Sequence, residues 1–524
     1  MGFQHRADPA APGLDWAALL LCLAAAVVLM VLSAGIPVSG DAWGYSYRTA
    51  RWIADNGMTP IPCGQGRGEQ GMGHPTAFYW TWALLMRIAG DTVAVAHVLP
   101  SATFCLALWA AWRLGHAMAG RACGFWTAAC LLASPLFLSQ ALQPLQETGF
   151  TAFAALAMER YLVGRNTQAA VMTTVAAVFR EQAVLLAASF ALVELLHEGT
   201  GKPGRILVHA MPLGVILVTG LGNLAATGMF FNKIHFGAPS ALRPDWLAFR
   251  TRLFAGHLLA ADGRWIPLVS ALALVLAGQA RRTPSATSLL LLLSPALLFP
   301  PARLAFLAVM AAAGTLAIAR RGSLPDRPIF AMILFVLMMI AFHVLIVKIA
   351  PDPALDLYRY VLGALPAVLA LPLAVIRRRG GVRLLHPVGA ILLVSGVLGC
   401  FRIDPFQPDS TPAGTLASLD TRRAVLLAAA SADTAIAPET EADFFTNPSL
   451  GYIDRPFPVR VLGTGPALCG DAAYSVLVPP THHGDPWFER TLEEILPAGA
   501  FPCTLATWVR GPLVTEVLLI GADE

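Results

Sequence analysis

Long apolar runs dominate this chain and leave little room for alternating or helically periodic surface patterns. They lie near 16–36, 94–118, 122–138, 148–163, 168–179, 183–197 and 205–227. Further runs lie near 264–279, 287–300, 302–319, 328–349, 360–376 and 385–401. A run of about 20 apolar residues crosses about 30 Å of hydrocarbon as a helix. The pattern therefore predicts about thirteen membrane-spanning helices, several of them short. The pairs 168–197 and 287–319 also read as one long or broken helix each. The run from Trp16 to Ile36 has no small-residue cleavage pattern close behind it, so it reads as a retained first helix and not as a signal peptide.

The basic residues choose between these counts. Arg121, Arg160–Arg165, Lys202–Arg205, Arg281–Arg282, Arg320–Arg327 and Arg377–Arg383 fall in alternate connections. The excess of Lys and Arg in cytoplasmic loops puts all of these on the cytoplasmic side. Both ambiguous pairs must then be split, because merging them moves basic connections to the other face. The N-terminus is predicted inside, and the tail after about 402 outside, periplasmic or extracellular. The outer side also holds a long loop, 37–93, with two amphipathic stretches, Trp43–Ala54 and Thr76–Ile88. The second carries Phe78-Tyr79-Trp80 and Trp82, which suit a membrane interface.

Composition agrees with this picture and adds one boundary. Of 524 residues, 56% are hydrophobic and 13% charged, against about 25% charged in soluble domains. From about 402 onward charges return, and Pro and Gly become frequent. Thr421–Ala432 and Trp487–Leu496 read as helices, and Thr434–Ala437 and Ala473–Val478 as strands. Val509–Leu519 reads as a closing hairpin around Arg510-Gly511-Pro512. The fold class is thus an all-α polytopic membrane domain over 1–401 and a small α/β extramembrane domain over 402–524. The net charge of +4 is small, and nothing in it calls for a nucleic-acid partner. The eight cysteines form no C-x-x-C pair and no metal-ligand spacing. Cys469 and Cys503 lie in the tail, where an oxidising compartment permits a disulfide, with Cys63 as another possible partner.

Ionisable residues beside the membrane are costly and are functional suspects. Asp41 follows the first span. It fits a general base with a desolvated carboxyl, or an N-cap of the helix that follows. Glu147 opens the fourth span, as a second site carboxylate or as an acid favoured by the helix dipole. Arg180-Glu181 interrupts two short apolar runs. It suits phosphate binding, or an internal ion pair. Arg359, between Tyr358 and Tyr360, fits the same phosphate role or an interfacial anchor. Tyr47, His74, Tyr79 and Arg303 are further candidates on that face, and Lys233, His235 and Lys348 are weaker ones.

The first loop reads Gly40-Asp41 … Tyr47 … Ala50 … Ile53 … Gly57, then His74-Pro75-Thr76-Ala77-Phe78-Tyr79-Trp80, then Leu99-Pro100-Ser101-Ala102. With Ser134-Pro135 … Gln140 … Glu147, the Arg180 break and Arg359-Tyr360-Val361-Leu362 … Leu365-Pro366, it resembles the GT-C membrane glycosyltransferases. The branch it resembles is that of the protein O-mannosyltransferases and lipid A aminoarabinose transferases. The family's Asp-Glu is Asp41-Ala42 here, and its second proline is Thr76. The resemblance implies a bacterial-type inner membrane and inverting sugar transfer at the outer face. It implies a polyprenyl-phosphate-linked donor and a lipid, glycan or protein acceptor hydroxyl. Asp41 would be the base, Glu147 an orienting carboxylate, and Arg180 and Arg359 the phosphate-binding pair. A divalent metal is left open. A lipid-linked-sugar transporter or flippase, and a non-catalytic scaffold, are the competing expectations.

Overall fold

The structure, a computed structural model, describes residues 16–38, 42–58, 75, 77–198, 203–227, 230, 244–279, 326–345, 358–403, 410–417, 419–420, 434–438, 447–453, 456, 459–462, 474–477, 502–510 and 513–520. The predicted spans near 287–300 and 302–319, the two tail helices, Cys63 and Cys469 lie outside these residues. Cys503 lies on a strand whose side chains are likewise not described.

The chain opens with α1 (Trp16–Ser33), apolar all round, and a π-helical turn, Ala42–Tyr47. The interfacial layer follows as α2 (Arg48–Asp55), α3 (Ala77–Ala89) and the short α4 (Val93–Ala96). Next come α5 (Val98–Ala119), α6 (Arg121–Leu132), α7 (Pro135–Ala141), α8 (Glu147–Leu162), α9 (Asn166–Phe179) and α10 (Ala183–Glu198). The remaining helices are α11 (Pro203–Val208), α12 (Met211–Thr227), α13 (Pro244–Ala255), α14 (Trp265–Gln279), α15 (Arg327–Leu345) and α16 (Leu365–Cys400). Four helices among the described residues are long and apolar enough to cross a membrane, or up to six if each bent pair is one span.

The breaks have local causes. Between α6 and α7 the axis turns by 64° at Ser134-Pro135, where proline removes an amide donor and clashes with the preceding turn. Asp262 and Gly263 both take positive φ between the helical segments that bend by 88° ahead of α14. Gly381, at φ 73° and ψ −174°, divides α16 into two arms, in line with the two spans predicted near 360–376 and 385–401. The 168–197 pair is also divided: α9 stops at Phe179 and α10 starts at Ala183.

One large apolar core joins α1, α5, α6, α8, α10 and α16, with Phe104 stacked on Phe137 at 5.2 Å. Helices α5 and α6 approach backbone to backbone. A Cβ added to Gly124 would lie 2.7 Å from the Trp112 carbonyl oxygen, so only glycine fits. Two sets of connections gather at opposite helix ends. At one end the Arg378 Nε donates to the Met118 carbonyl at 3.0 Å, and the Arg379 Nη1 to that of Leu274 at 3.1 Å. There too Arg113 and Arg160 pair with the buried Glu159 at 2.9 and 2.6 Å. At the other end His97 Nε2 meets the Ile36 carbonyl at 3.1 Å, and Thr103 meets Thr148 at 2.7 Å.

Five strands are described in the tail: β1 (Thr434–Pro438), β2 (Val459–Leu462), β3 (Tyr474–Leu477), β4 (Pro502–Arg510) and β5 (Leu513–Ile520). They form one mixed sheet in the order β2-β1-β3-β5-β4. β1 runs parallel to β2 and β3, while β5 pairs antiparallel with β3 and β4. The antiparallel pairing of β4 with β5 agrees with the hairpin that the sequence marks there.

A second apolar cluster fastens the tail to the interfacial layer. Leu419, Leu450 and Tyr452 pack with Tyr47, Ile53, Trp82 and Met86. The Val38 amide donates to the Leu450 carbonyl at 3.0 Å. The Tyr47 hydroxyl donates to Asp91 Oδ2 and accepts from Asn447 Nδ2, both at 2.8 Å.

Candidate active site

Three charged residues that are distant in sequence meet where α8 begins and α9 ends. Glu147 is the first residue of α8, and its carboxylate is completely buried. Arg180 follows the last turn of α9 with extended backbone, φ −146° and ψ 129°. The chain then reverses within three residues, its Ala183 amide bonding back to the Arg180 carbonyl at 3.1 Å. That reversal aims the Arg180 guanidinium inward, onto Glu147 Oε1. Arg359 reaches the same oxygen from the 3-10 turn Tyr358–Ala364, its Nε at 3.3 Å. Both arginines are nearly fully buried.

Two glycines permit the approach. A Cβ on Gly149 would overlap the Phe179 ring, next to Arg180, and one on Gly363 would overlap the Phe150 ring. The first contact seats the α9 end against α8, and the second seats the turn carrying Arg359.

Aromatic and amide groups complete the cluster. The Tyr360 ring lies 4.8 Å from the Arg180 Cζ and 5.2 Å from the Arg359 Cζ, so both cations face its π cloud. Oriented by its surroundings, the Gln146 amide oxygen accepts from Arg180 Nε and Nη1 at 3.0 and 3.1 Å, and its nitrogen donates to the Tyr79 hydroxyl at 3.3 Å. Burial pushes the Tyr79 phenol well above its ordinary range, against the pull of the neighbouring Arg180. It therefore stays protonated at any working pH. His343, on α15, stacks on Tyr360 at 5.9 Å, and its Nδ1 is 2.7 Å from the Met339 carbonyl.

Of the residues singled out in the sequence, Glu147, Arg180, Arg359, Tyr360 and Tyr79 come together. Glu181 is half-buried beside them, within electrostatic reach of Arg180 and Tyr79. Tyr47 lies elsewhere, at the junction with the tail. Asp41, His74 and Arg303 fall outside the described residues. Gln146 and His343 were not singled out. His343 carried a usable signal, an ionisable residue inside an apolar run, whereas Gln146 differs from its neighbour Gln143 only through tertiary contacts. Among the described residues no three of His, Cys, Asp or Glu cluster as a metal site would require.

A triad of two buried guanidiniums on one carboxylate carries one excess positive charge. Glu181, being partly exposed, is screened by water and offsets it only weakly. A buried cationic fork beside an interfacial aromatic layer suits a phosphate group.

Comparison with known proteins shows a likeness of fold. No family model matches the sequence, and no curated protein matches it. The fold nevertheless has a counterpart among solved structures. The particular likeness is to ArnT from Cupriavidus metallidurans bound to undecaprenyl phosphate, with a TM-score of 0.50 at 12% identity, over 96% of this chain and 97% of that one. The apo state of the same protein gives 0.49 at 12% identity, over 96% and 97%. The Archaeoglobus fulgidus oligosaccharyltransferase in complex with Zn and sulfate gives 0.44 at 13% identity, over 84% of this chain and 62% of that one. At such identities the likeness is one of fold.

Proposed function

We propose that the protein is an integral membrane glycosyltransferase that takes its sugar from a polyprenyl-phosphate carrier. The observation that carries this reading is the buried Arg180–Glu147–Arg359 triad at the outer helix ends. The likeness in fold to a protein captured with undecaprenyl phosphate supports it.

In this reading the acceptor hydroxyl oxygen attacks the anomeric carbon as the carbon–oxygen bond to phosphate breaks, inverting that centre. The hydroxyl proton passes to Asp41. The electron pair of the broken bond goes to the phosphate, a weak base that needs charge stabilisation more than protonation. Arg180 and Arg359 supply that stabilisation, donating to the phosphate oxygens where negative charge grows. Glu147 is a positioning residue that holds both guanidiniums to one point. Tyr79 and Gln146 fix the Arg180 fork from the interfacial side. Tyr360 faces both cations while leaving their in-plane N–H groups for hydrogen bonding. The tail, as a small α/β domain outside the membrane, covers the interfacial layer through Leu450 and Tyr452.

The test is sugar transfer from a radiolabelled polyprenyl-phosphate sugar in vesicles containing the full chain. Arg180→Gln or Arg359→Gln is expected to slow transfer about 10²–10³-fold, and Asp41→Asn about 10²–10⁴-fold. Full turnover in Asp41→Asn would remove the assigned base. Movement of lipid-linked sugar across the vesicle without covalent transfer would replace the enzyme by a transporter.

A further inference from the structure

The other ends of α8 and α9 border a polar cavity of about 680 Å³, remote from the triad. That volume is within the about 300–1,000 Å³ usual for small-molecule sites. The basic connections of the sequence assign this end to the cytoplasm. Among the described residues lining it, three guanidiniums, Arg165, Arg205 and Arg327, face one carboxylate, Glu194.

Two features give the cavity a polarity. On one side, α9 begins at Asn166 with no side chain capping its first turn, since the N-cap residue is Arg165. The start of α15 at Arg327 lies beside it. Two helix N-termini and the arginines therefore present positive charge and amide donors to the same space. On the other side Glu194 is buried to 3% exposure. Its Oε1 accepts from the Tyr161 hydroxyl at 2.8 Å and from Asn166 Nδ2 at 3.5 Å. Among the described residues its Oε2 receives no hydrogen bond, and the Arg327 Nη1 lies 3.7 Å from it. A buried carboxylate oxygen lacking a donor is costly, and the cavity is where a donor can arrive.

We infer that this cavity binds a phosphate-bearing head group whose far end carries a hydrogen-bond donor, an ammonium or a hydroxyl. The phosphate lies against Arg165, Arg205 and the α9 terminus. The donor fills Glu194 Oε2. Either a phospholipid of the adjoining leaflet or a free phosphate ester presents this chemistry. The site belongs to neither the triad nor the proposed transfer reaction.

The test uses the full chain in detergent, titrated calorimetrically with phosphoethanolamine, dihexanoyl phosphatidylethanolamine and dihexanoyl phosphatidylcholine. The choline head group keeps the phosphate but has no N–H to donate. The ethanolamine lipid is expected to bind at least tenfold tighter than the choline lipid. Arg165 is exposed, so Arg165→Gln leaves the fold intact and is expected to weaken the ethanolamine lipid about tenfold. Glu194→Gln is expected to narrow the difference between the two lipids. Tighter binding of the lipid than of phosphoethanolamine identifies a membrane source, and equal binding a soluble one. The proposal is overturned if none of the probes binds, if the two lipids bind equally to the unaltered protein, or if Arg165→Gln changes nothing.

Discussion

Replacing Glu147 by Gln removes the carboxylate that Arg180 and Arg359 share, while conserving volume. The two guanidinium carbons lie 4.8 and 5.2 Å from one ring centroid, so they are no more than about 10 Å apart. At an effective dielectric of about 20, their repulsion is then about 1.7 kcal/mol or more, which the half-buried Glu181 offsets only weakly. The lost ion pairs add to this, and removing one partner of a buried pair typically costs about 3–5 kcal/mol. We expect Glu147→Gln to lose stability in that range, read by denaturant unfolding in detergent, and to lose sugar transfer with it. The double variant Glu147→Gln, Arg359→Gln removes the repulsion and is expected to recover about 1–2 kcal/mol relative to the single change, a coupling of ordinary size for contacting residues. A Glu147→Gln protein as stable as the unaltered one, or a double variant no better than the single, would refute the account of Glu147 as the anchor of both arginines.

Gly149→Ala forces a methyl group into the Phe179 ring, so the α9 end must shift; we expect a loss of about 1–3 kcal/mol and slower sugar transfer, measured on the same vesicles. Tyr47→Phe deletes the bridge from Asp91 to Asn447, and limited proteolysis should cut the tail faster. Burial, aided by Asp91, pushes the Tyr47 phenol up to about 12, so its bridge is fully present below the ordinary value near 10 and is lost as pH rises toward 12. Tail release across that window is expected in the unaltered protein and should be smaller in Tyr47→Phe.

The triad was legible because its members are charged residues stranded among apolar runs, where any ionisable side chain stands out. Their mutual contact was not, since Glu147 and Arg359 are far apart in the chain and meet only through helix packing. The positive-inside argument for splitting 168–197 marks a place where the chain does reverse, and the reversal is what turns Arg180 inward. Tyr47 was read as a member of the site from its place in the first-loop motif. Its hydroxyl instead bonds to Asn447, a partner 400 residues away that no local pattern announces. In the tail, β1, β3 and β5 could be read from the sequence, whereas β2 (Val459–Leu462) and most of β4 were not marked there. The docking of residues 447–453 could not, because Leu450 and Tyr452 look like ordinary loop residues until Trp82 and Met86 are placed beside them.

Helices α8, α9 and α10, at 16, 14 and 16 residues, are about 24, 21 and 24 Å long, whereas α5 at 22 residues is about 33 Å long. A bilayer has a hydrocarbon thickness of about 30 Å, so these three helices are too short to cross it unaided and α5 is not. Such hydrophobic mismatch is relieved by pulling the two leaflets together beside the short helices. The pinch falls on the helices that carry the triad at one end and the basic cavity at the other. For the proposed reaction, a carrier lipid arriving beside the short helices would then meet the arginines with less vertical travel than it would beside α5.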